Sequence, residues 1–282
     1  MRLAQELLEI NPQNTQQKVT RFIQDYVTQA KTKGVVLGIS GGVDSATTAA
    51  LVTRALGASK VLGIYMPEDE THSKTDAKHI KHLAATFHFQ LKTIDLTDTL
   101  SALWGAMPDY EAQDKLSRGN LKARTRMLVL YYYANHRNLI VATSSDKSET
   151  MIGYFTKWGD AAGDIAPLMD LYKTQVQQLA RHLEVPSAII EKPPTPGLWP
   201  NQNAEDEIGV DYPTLDLILF ALERFMAAEA IARELNIAID TVRAIKRRWL
   251  DTEHKRRMPL TTKLAYRTIT HDFRLARAVK LE

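Results

Sequence analysis

The chain has 282 residues, 44% of them hydrophobic and 24% charged, with a net charge of +3. That composition excludes a disordered tail or a fibrous repeat, and the length suffices for one large core. Cysteine is absent, so disulfides, Cys-based zinc or iron–sulfur sites and catalytic thiols are excluded within the chain.

In chain order, Val19, Phe22, Ile23 and Val27 share one face of a predicted helix over 17–31. VVLGIS (35–40) reads as a buried parallel strand, and ATTAALVTRAL after it as a helix ended by Gly57. VLGIYM (61–66) is a second strand, followed by the polar loop PEDETHS and a helix over about 74–88. LKTIDL (91–96) is a third strand, and the helix LKARTRMLVLYYYANH leads into a fourth, LIVATS (139–144). Strands alternating with helices predict an α/β doubly wound parallel sheet with helices on both faces. Such sheets take ligands at the carboxyl ends of their strands. The stretch 185–213 holds six prolines and predicts a long mobile loop over about 185–211; helical periodicity returns from about 212 to 282. A single domain over 1–282 accounts for the whole pattern. No apolar run reaches the roughly 20 residues of a membrane span. MRLAQELLEINPQNTQQ turns polar too early for a secretory signal, so a cytoplasmic protein is expected.

The sharpest motif is Ser40-Gly41-Gly42-Val43-Asp44-Ser45, between a strand and a helix. Two glycines allow a tight turn that presents backbone amides to an anion, and the helix N-terminus adds its positive dipole end. Asp44 beside a phosphate implies an intervening divalent cation. A plain tight turn with Asp44 as a helix cap is the competing view. The string lacks the Gly-Lys-Ser/Thr ending of a Walker loop. It resembles the pyrophosphate loop of the N-type ATP pyrophosphatases, which have an adenine nucleotide alpha-hydrolase-like fold and cleave ATP between its α and β phosphates.

Four further segments narrow the resemblance. They are Asn120-Leu121-Lys122-Ala123-Arg124-Thr125-Arg126-Met127, then Ser144 through Glu149, then Gly153 through Asp160 with Asp164 and Asp170 to Thr174, and finally Thr252 through Arg257. In this order they resemble the ammonia-dependent NAD synthetases, from the phosphate loop to about residue 257. The resemblance implies that Gly38, Ile39, Ser40, Gly41, Gly42, Val43, Asp44 and Ser45 hold the ATP phosphates. It places Mg2+ on Asp44 and Glu149, and Ser144, Lys173 and Thr195 on ATP, with Asp44, Lys173 and Glu149 catalytic. Arg124, Lys157, Asp164, His254 and Lys255 would hold deamido-NAD. A homodimer whose substrate site draws on both subunits is also implied.

Without the resemblance, Arg124 and Arg126 could be a solvated helix face, Glu149 a first-turn carboxylate and His254 to Arg257 a surface charge run. His79 and His82, three apart on a helix, lack a third ligand and read as a solvated face. Tyr131, Tyr132 and Tyr133 read as packing or a subunit interface, and Trp199 as either a ligand cap or an anchor. Two rival functions remain at this level. One is another ATP pyrophosphatase ligase, such as the ATP-binding subunit of a GMP synthetase; the other is a nucleotide sensor or RNA-binding module using the basic C-terminal segment. Nothing pairs basic residues with an aromatic platform, so no nucleic acid partner is expected. The glutamine-dependent relatives use a cysteine in an added glutaminase domain. A chain without that cysteine is expected to take ammonia, free or from a separate glutaminase.

Overall fold

The structure is a computed structural model that describes residues 2–268. Four parallel strands form its sheet: β1 (Val35–Gly38), β2 (Val61–Tyr65), β3 (Gln90–Thr93) and β4 (Ile140–Val141), in the order β3-β2-β1-β4. Val35 pairs with Val61 on one side and Ile140 on the other. The chain winds outward from β1 to β3 and then returns across β1 to place β4 on its far side. The switch in strand order therefore lies between β1 and β4, where a crevice opens at the strands' carboxyl ends.

Alternation along β1 explains the layers. Val35, Leu37 and Ile39 point into one core, filled by α1 (Pro12–Gln29), α2 (Val43–Leu56), α3 (Lys74–Phe87) and, further on, α7 (Lys173–His182). Val36 points to the other face, where Leu62, Ile64 and Val141 meet α4 (Thr97–Gly105) and α5 (Lys115–Arg137). Both faces are thus covered at the centre of the sheet, which is why β1 and β2 read as continuous apolar runs, whereas the edge strand β3 is exposed or half-buried.

A third apolar cluster is built from helices. α6 (Lys147–Ile152), α9 (Ala204–Ile208), α10 (Tyr212–Leu222), α11 (Ala228–Leu235) and α12 (Ile239–Asp251) join there, with Leu3 and Leu8 from the N-terminus. Residues 187–190 form the short helix α8 (Ser187–Ile190). The proline-rich stretch expected to be irregular thus contains two helical turns, α8 and α9. The fourth strand is shorter than expected: beyond Val141, Ala142 bridges to Ile165 and the Thr143 amide donates to the Ile165 carbonyl. α4 had no expectation behind it. Beyond a short 3-10 turn (Glu253–Arg256), residues 257–268 carry no helix, and the rest of the segment expected to be helical lies outside the described residues. Among the described residues no helix is long and apolar enough to cross a membrane.

Candidate active site

The loop from Ser40 to Gly42 joins β1 to the N-terminus of α2. Gly41 has φ +83°, a left-handed conformation that an L side chain adopts only at a cost. The Ser45 hydroxyl folds back over the turn: it donates to the Gly42 carbonyl at 3.1 Å and accepts from the Ser40 amide at 3.2 Å. This holds the first turn of α2 open toward the crevice and sets Asp44 at its edge.

Across the crevice, Asp146 caps α6 by accepting from the Glu149 amide at 2.7 Å. One turn of helix then aims Glu149 at Asp44. Lys173, the first residue of α7, arrives between them. Its ammonium lies 2.6 Å from Asp44, 2.8 Å from Asp146 and 2.9 Å from Glu149. The Tyr212 hydroxyl donates to Glu149 Oε1 at 3.2 Å, and its ring lies 4.9 Å from the Lys173 ammonium. Burial by itself would lower the Lys173 pKa, but Asp146 first, then Asp44 and Glu149, outweigh it and hold the lysine protonated. Burial and the neighbouring Asp146 push Glu149 up to about 8 against the pull of Lys173.

Three carboxylates facing one ammonium leave an excess of negative charge when all are ionised. Carboxylate oxygens of Asp44, Asp146 and Glu149 all lie within 4.8 Å of one another. Asp44 Oδ1 is buried with no hydrogen-bond partner. An all-oxygen donor set with an orphaned buried oxygen fits a hard divalent cation such as Mg2+. Asp146 was not anticipated as part of it. The Asp-x-x-Glu spacing of a capped helix start was the signal that could have marked it.

The crevice continues into a cavity of about 1020 Å³. Its wall carries Gly38, Ile39, Ser40, Gly42, Val43, Asp44 and Ser45 from the phosphate loop, with Ser144, Glu149, Lys173 and Thr195. Gly41 belongs to the loop but turns toward Asp76 and Ile80 on α3. Arg124 from α5, Lys157 from the loop after α6, and His254 and Lys255 from the C-terminal segment line the same cavity. The Arg124 guanidinium donates to the Lys157 carbonyl, the Lys157 ammonium to the His254 carbonyl, and Lys255 to the carbonyls of Gly153 and Phe155 at 2.8 Å each. These side chains are therefore seated on neutral carbonyls rather than on carboxylates, which leaves them to meet an anion. Asp164 lies outside the cavity wall, and its Oδ2 accepts from the Val141 amide at 2.7 Å, fastening the end of β4. Trp199 lines the cavity, as does Arg126, which donates to the Met66 carbonyl and has no ion pair among the described residues. His82 is exposed, and the one group of three or more possible metal ligands among the described residues is the carboxylate trio.

A model of the NAD synthase family matches residues 15–259. The chain belongs to the NAD synthase family. It is 46% identical to the NH(3)-dependent NAD(+) synthetase of Methanocaldococcus jannaschii over 88% of this chain and 95% of that one. With the enzyme of that name from Hyperthermus butylicus, identity is 43% over 90% and 92%. Among solved structures, the NH3-dependent NAD synthetase of Campylobacter jejuni superposes with a TM-score of 0.77 at 30% identity, covering 90% of this chain and all of that one. The NMN synthetase of Francisella tularensis gives 0.80 at the same identity and coverage. The NAD synthase family is the one expected from the four motifs, and the sheet with its flanking helices is the expected fold.

Proposed function

We infer that the chain amidates deamido-NAD with ammonia, using ATP and releasing AMP and pyrophosphate, the last step of NAD synthesis. The observation that carries this reading is the meeting of Asp44, Glu149 and Lys173 in the wall of a cavity that Arg124, Lys157, His254 and Lys255 also line. One end suits a triphosphate, the other a dinucleotide with a pyrophosphate and a carboxylate.

The nicotinate carboxylate would attack the α-phosphorus of ATP; the bond from that phosphorus to the β-bridging oxygen breaks and pyrophosphate leaves. Ammonia then attacks the acyl carbon, AMP leaves with its oxygen, and the nitrogen sheds its extra proton. Backbone amides of residues 40–45 would hold the phosphates, and Lys173 would balance the charge that grows on the departing pyrophosphate. Ser144 and Thr195 would contact ATP. Asp44 and Glu149, backed by Asp146, would hold Mg2+, which when bound supplies further charge neutralisation to the phosphates. The segments near 67–75 and 190–210 would keep water from the adenylate. Asp164 would act on deamido-NAD through the backbone it fastens at β4.

Leu128 and Tyr132, exposed one turn apart on α5, support a homodimer joined along that helix. The absence of cysteine supports the use of ammonia, free or supplied by a separate glutaminase, in the cytoplasm. The reaction is tested by supplying ATP, Mg2+ and ammonia with deamido-NAD, nicotinate mononucleotide or xanthosine monophosphate in turn, and by replacing ammonia with glutamine. NAD formed from deamido-NAD and ammonia is the expected outcome. Faster amidation of nicotinate mononucleotide would move the chain to the NMN synthetase reaction, and AMP release only with xanthosine monophosphate would make it a GMP synthetase.

A further inference from the structure

α10 is nearly all apolar, Tyr-Pro-Thr-Leu-Asp-Leu-Ile-Leu-Phe-Ala-Leu, and its single charged residue, Asp216, is fully buried. Burial strips a carboxylate of its hydration, and Asp216 has no ion pair among the described residues to offset the loss. It is satisfied by neutral donors instead. Ser148 Oγ donates to Oδ1 at 2.5 Å, and the Thr174 amide and hydroxyl donate to Oδ2 at 2.8 Å each. Ser148 Oγ also accepts from the Lys173 amide at 2.9 Å.

Those donors flank the reacting groups. Ser148 precedes Glu149, and Thr174 follows Lys173. Two of the orphan amides in the first turn of α7, those of Lys173 and Thr174, are met by Ser148 and Asp216. The seat of Lys173 is thus fixed from α10, through a residue 42 positions beyond Thr174. Asp216 also stands one turn from Tyr212, whose hydroxyl meets Glu149. One helix therefore sets both the backbone and the tip of the carboxylate–lysine cluster.

We propose that Asp216 is a positioning residue that, through Ser148 and Thr174, locks the starts of α6 and α7 so that Glu149 and Lys173 meet the phosphates of ATP in reactive register. The proposal rests on the reading of Lys173 as a charge-balancing group. A displacement of about 1 Å at such a group costs on the order of 100-fold in rate. In Asp216→Ala, kcat for NAD formation should fall about 10- to 100-fold while KM for ATP stays within about 3-fold. Asp216→Asn keeps an acceptor for Thr174 and should recover most of kcat. Ser148→Ala, a change small enough to leave the fold intact, should lower kcat in the same direction. In a Lys173→Ala background, Asp216→Ala should cause no further loss of kcat. Wild-type kcat in the folded Ala variants at both positions would overturn the proposal, as would an equal loss from Asp216→Ala with and without Lys173. If Lys173→Ala itself keeps full kcat, the underlying reading of that lysine fails instead.

Discussion

Lys122 is a lysine with no solvent exposure, and its replacement by Met gives the most demanding prediction. Its ammonium meets Glu68 at 2.9 Å, Glu70 at 2.5 Å and the Leu198 carbonyl at 3.0 Å. It thereby ties the segment after β2 to the proline-rich stretch, two walls of the cavity that share no strand or helix. In Lys122→Met the volume is kept and the charge lost. Glu70 retains Arg118 at 2.5 Å, but Glu68, 3% exposed in its side chain, is left as a buried charge without a cation. Breaking one side of a buried pair costs about 3–5 kcal/mol, and the orphaned carbonyl adds about 1. Neither segment belongs to the sheet, so the strain should be relieved by local opening, before any global unfolding. If about 3 kcal/mol of that cost is relieved by the local opening, the open population rises roughly 100-fold. The His72 amide, bonded to the Glu68 carbonyl at 2.9 Å, and the Leu198 amide, bonded to Gln202 at 2.9 Å, are the reporters. Native-state hydrogen exchange should show both speeding up about 100-fold while amides of β1 keep their protection. KM for ATP should rise with them, since Thr195 stands on the released stretch. Adding Glu68→Gln should restore part of the protection, because it removes the stranded charge. Unchanged exchange at both reporters in the single variant would refute the reasoning.

Asp44→Asn should abolish AMP and NAD formation together, by at least about 100-fold; pyrophosphate release that persisted would show that Asp44 does not hold the metal. Asp216, raised to about 7 by burial, keeps its proton in the folded state at pH values where the unfolded chain, near 3.9, has lost it. Its contribution to stability therefore declines as pH rises from about 4 to about 7, so Asp216→Asn should gain stability relative to wild type over that window, on the order of 1 kcal/mol per pH unit; urea midpoints at pH 5 and pH 7 that differ by the same amount in both proteins would contradict this. Gly153 has φ +65°, and a Cβ there would come within 2.3 Å of Thr252. Gly153→Ala should lose about 2–4 kcal/mol in thermal or chemical unfolding and raise KM for deamido-NAD, because Thr252 leads into His254 and Lys255.

The succession of strands and helices was legible because β1, β2 and β4 are almost wholly buried and α2 ends at a glycine, Gly57. The phosphate loop was legible for the same local reason: its chemistry lies in six consecutive residues. What the sequence hid is burial of charge. Asp216 amid Leu215, Leu217 and Ile218 reads as an interruption of an apolar helix, and its partners lie 42 and 68 positions away. Lys122 sits between Arg124 and Leu121 and reads as one more cation of a basic helix, yet it is the one drawn inward. Asp146 stood inside a quoted motif with no task assigned, since only the folded chain brings Lys173 to it.

The strand order explains why these distant residues had to meet. With β4 added on the far side of β1, the loop after β1 and the loop after β4 face each other across one gap, and whatever follows β4 must cross or close that gap. α2 and α7 both begin there, and their positive ends face the same space, which favours the phosphates of a nucleotide. That same field opposes a lysine at the first position of α7. Lys173 is stable in that place because Asp44, Asp146 and Glu149 surround it, and those carboxylates would in turn repel a polyphosphate without Lys173 and a cation between them. The site is therefore balanced only as a set. Removing one carboxylate or the lysine should cost far more than any single contact, and the losses should be strongly non-additive among Asp44, Glu149 and Lys173.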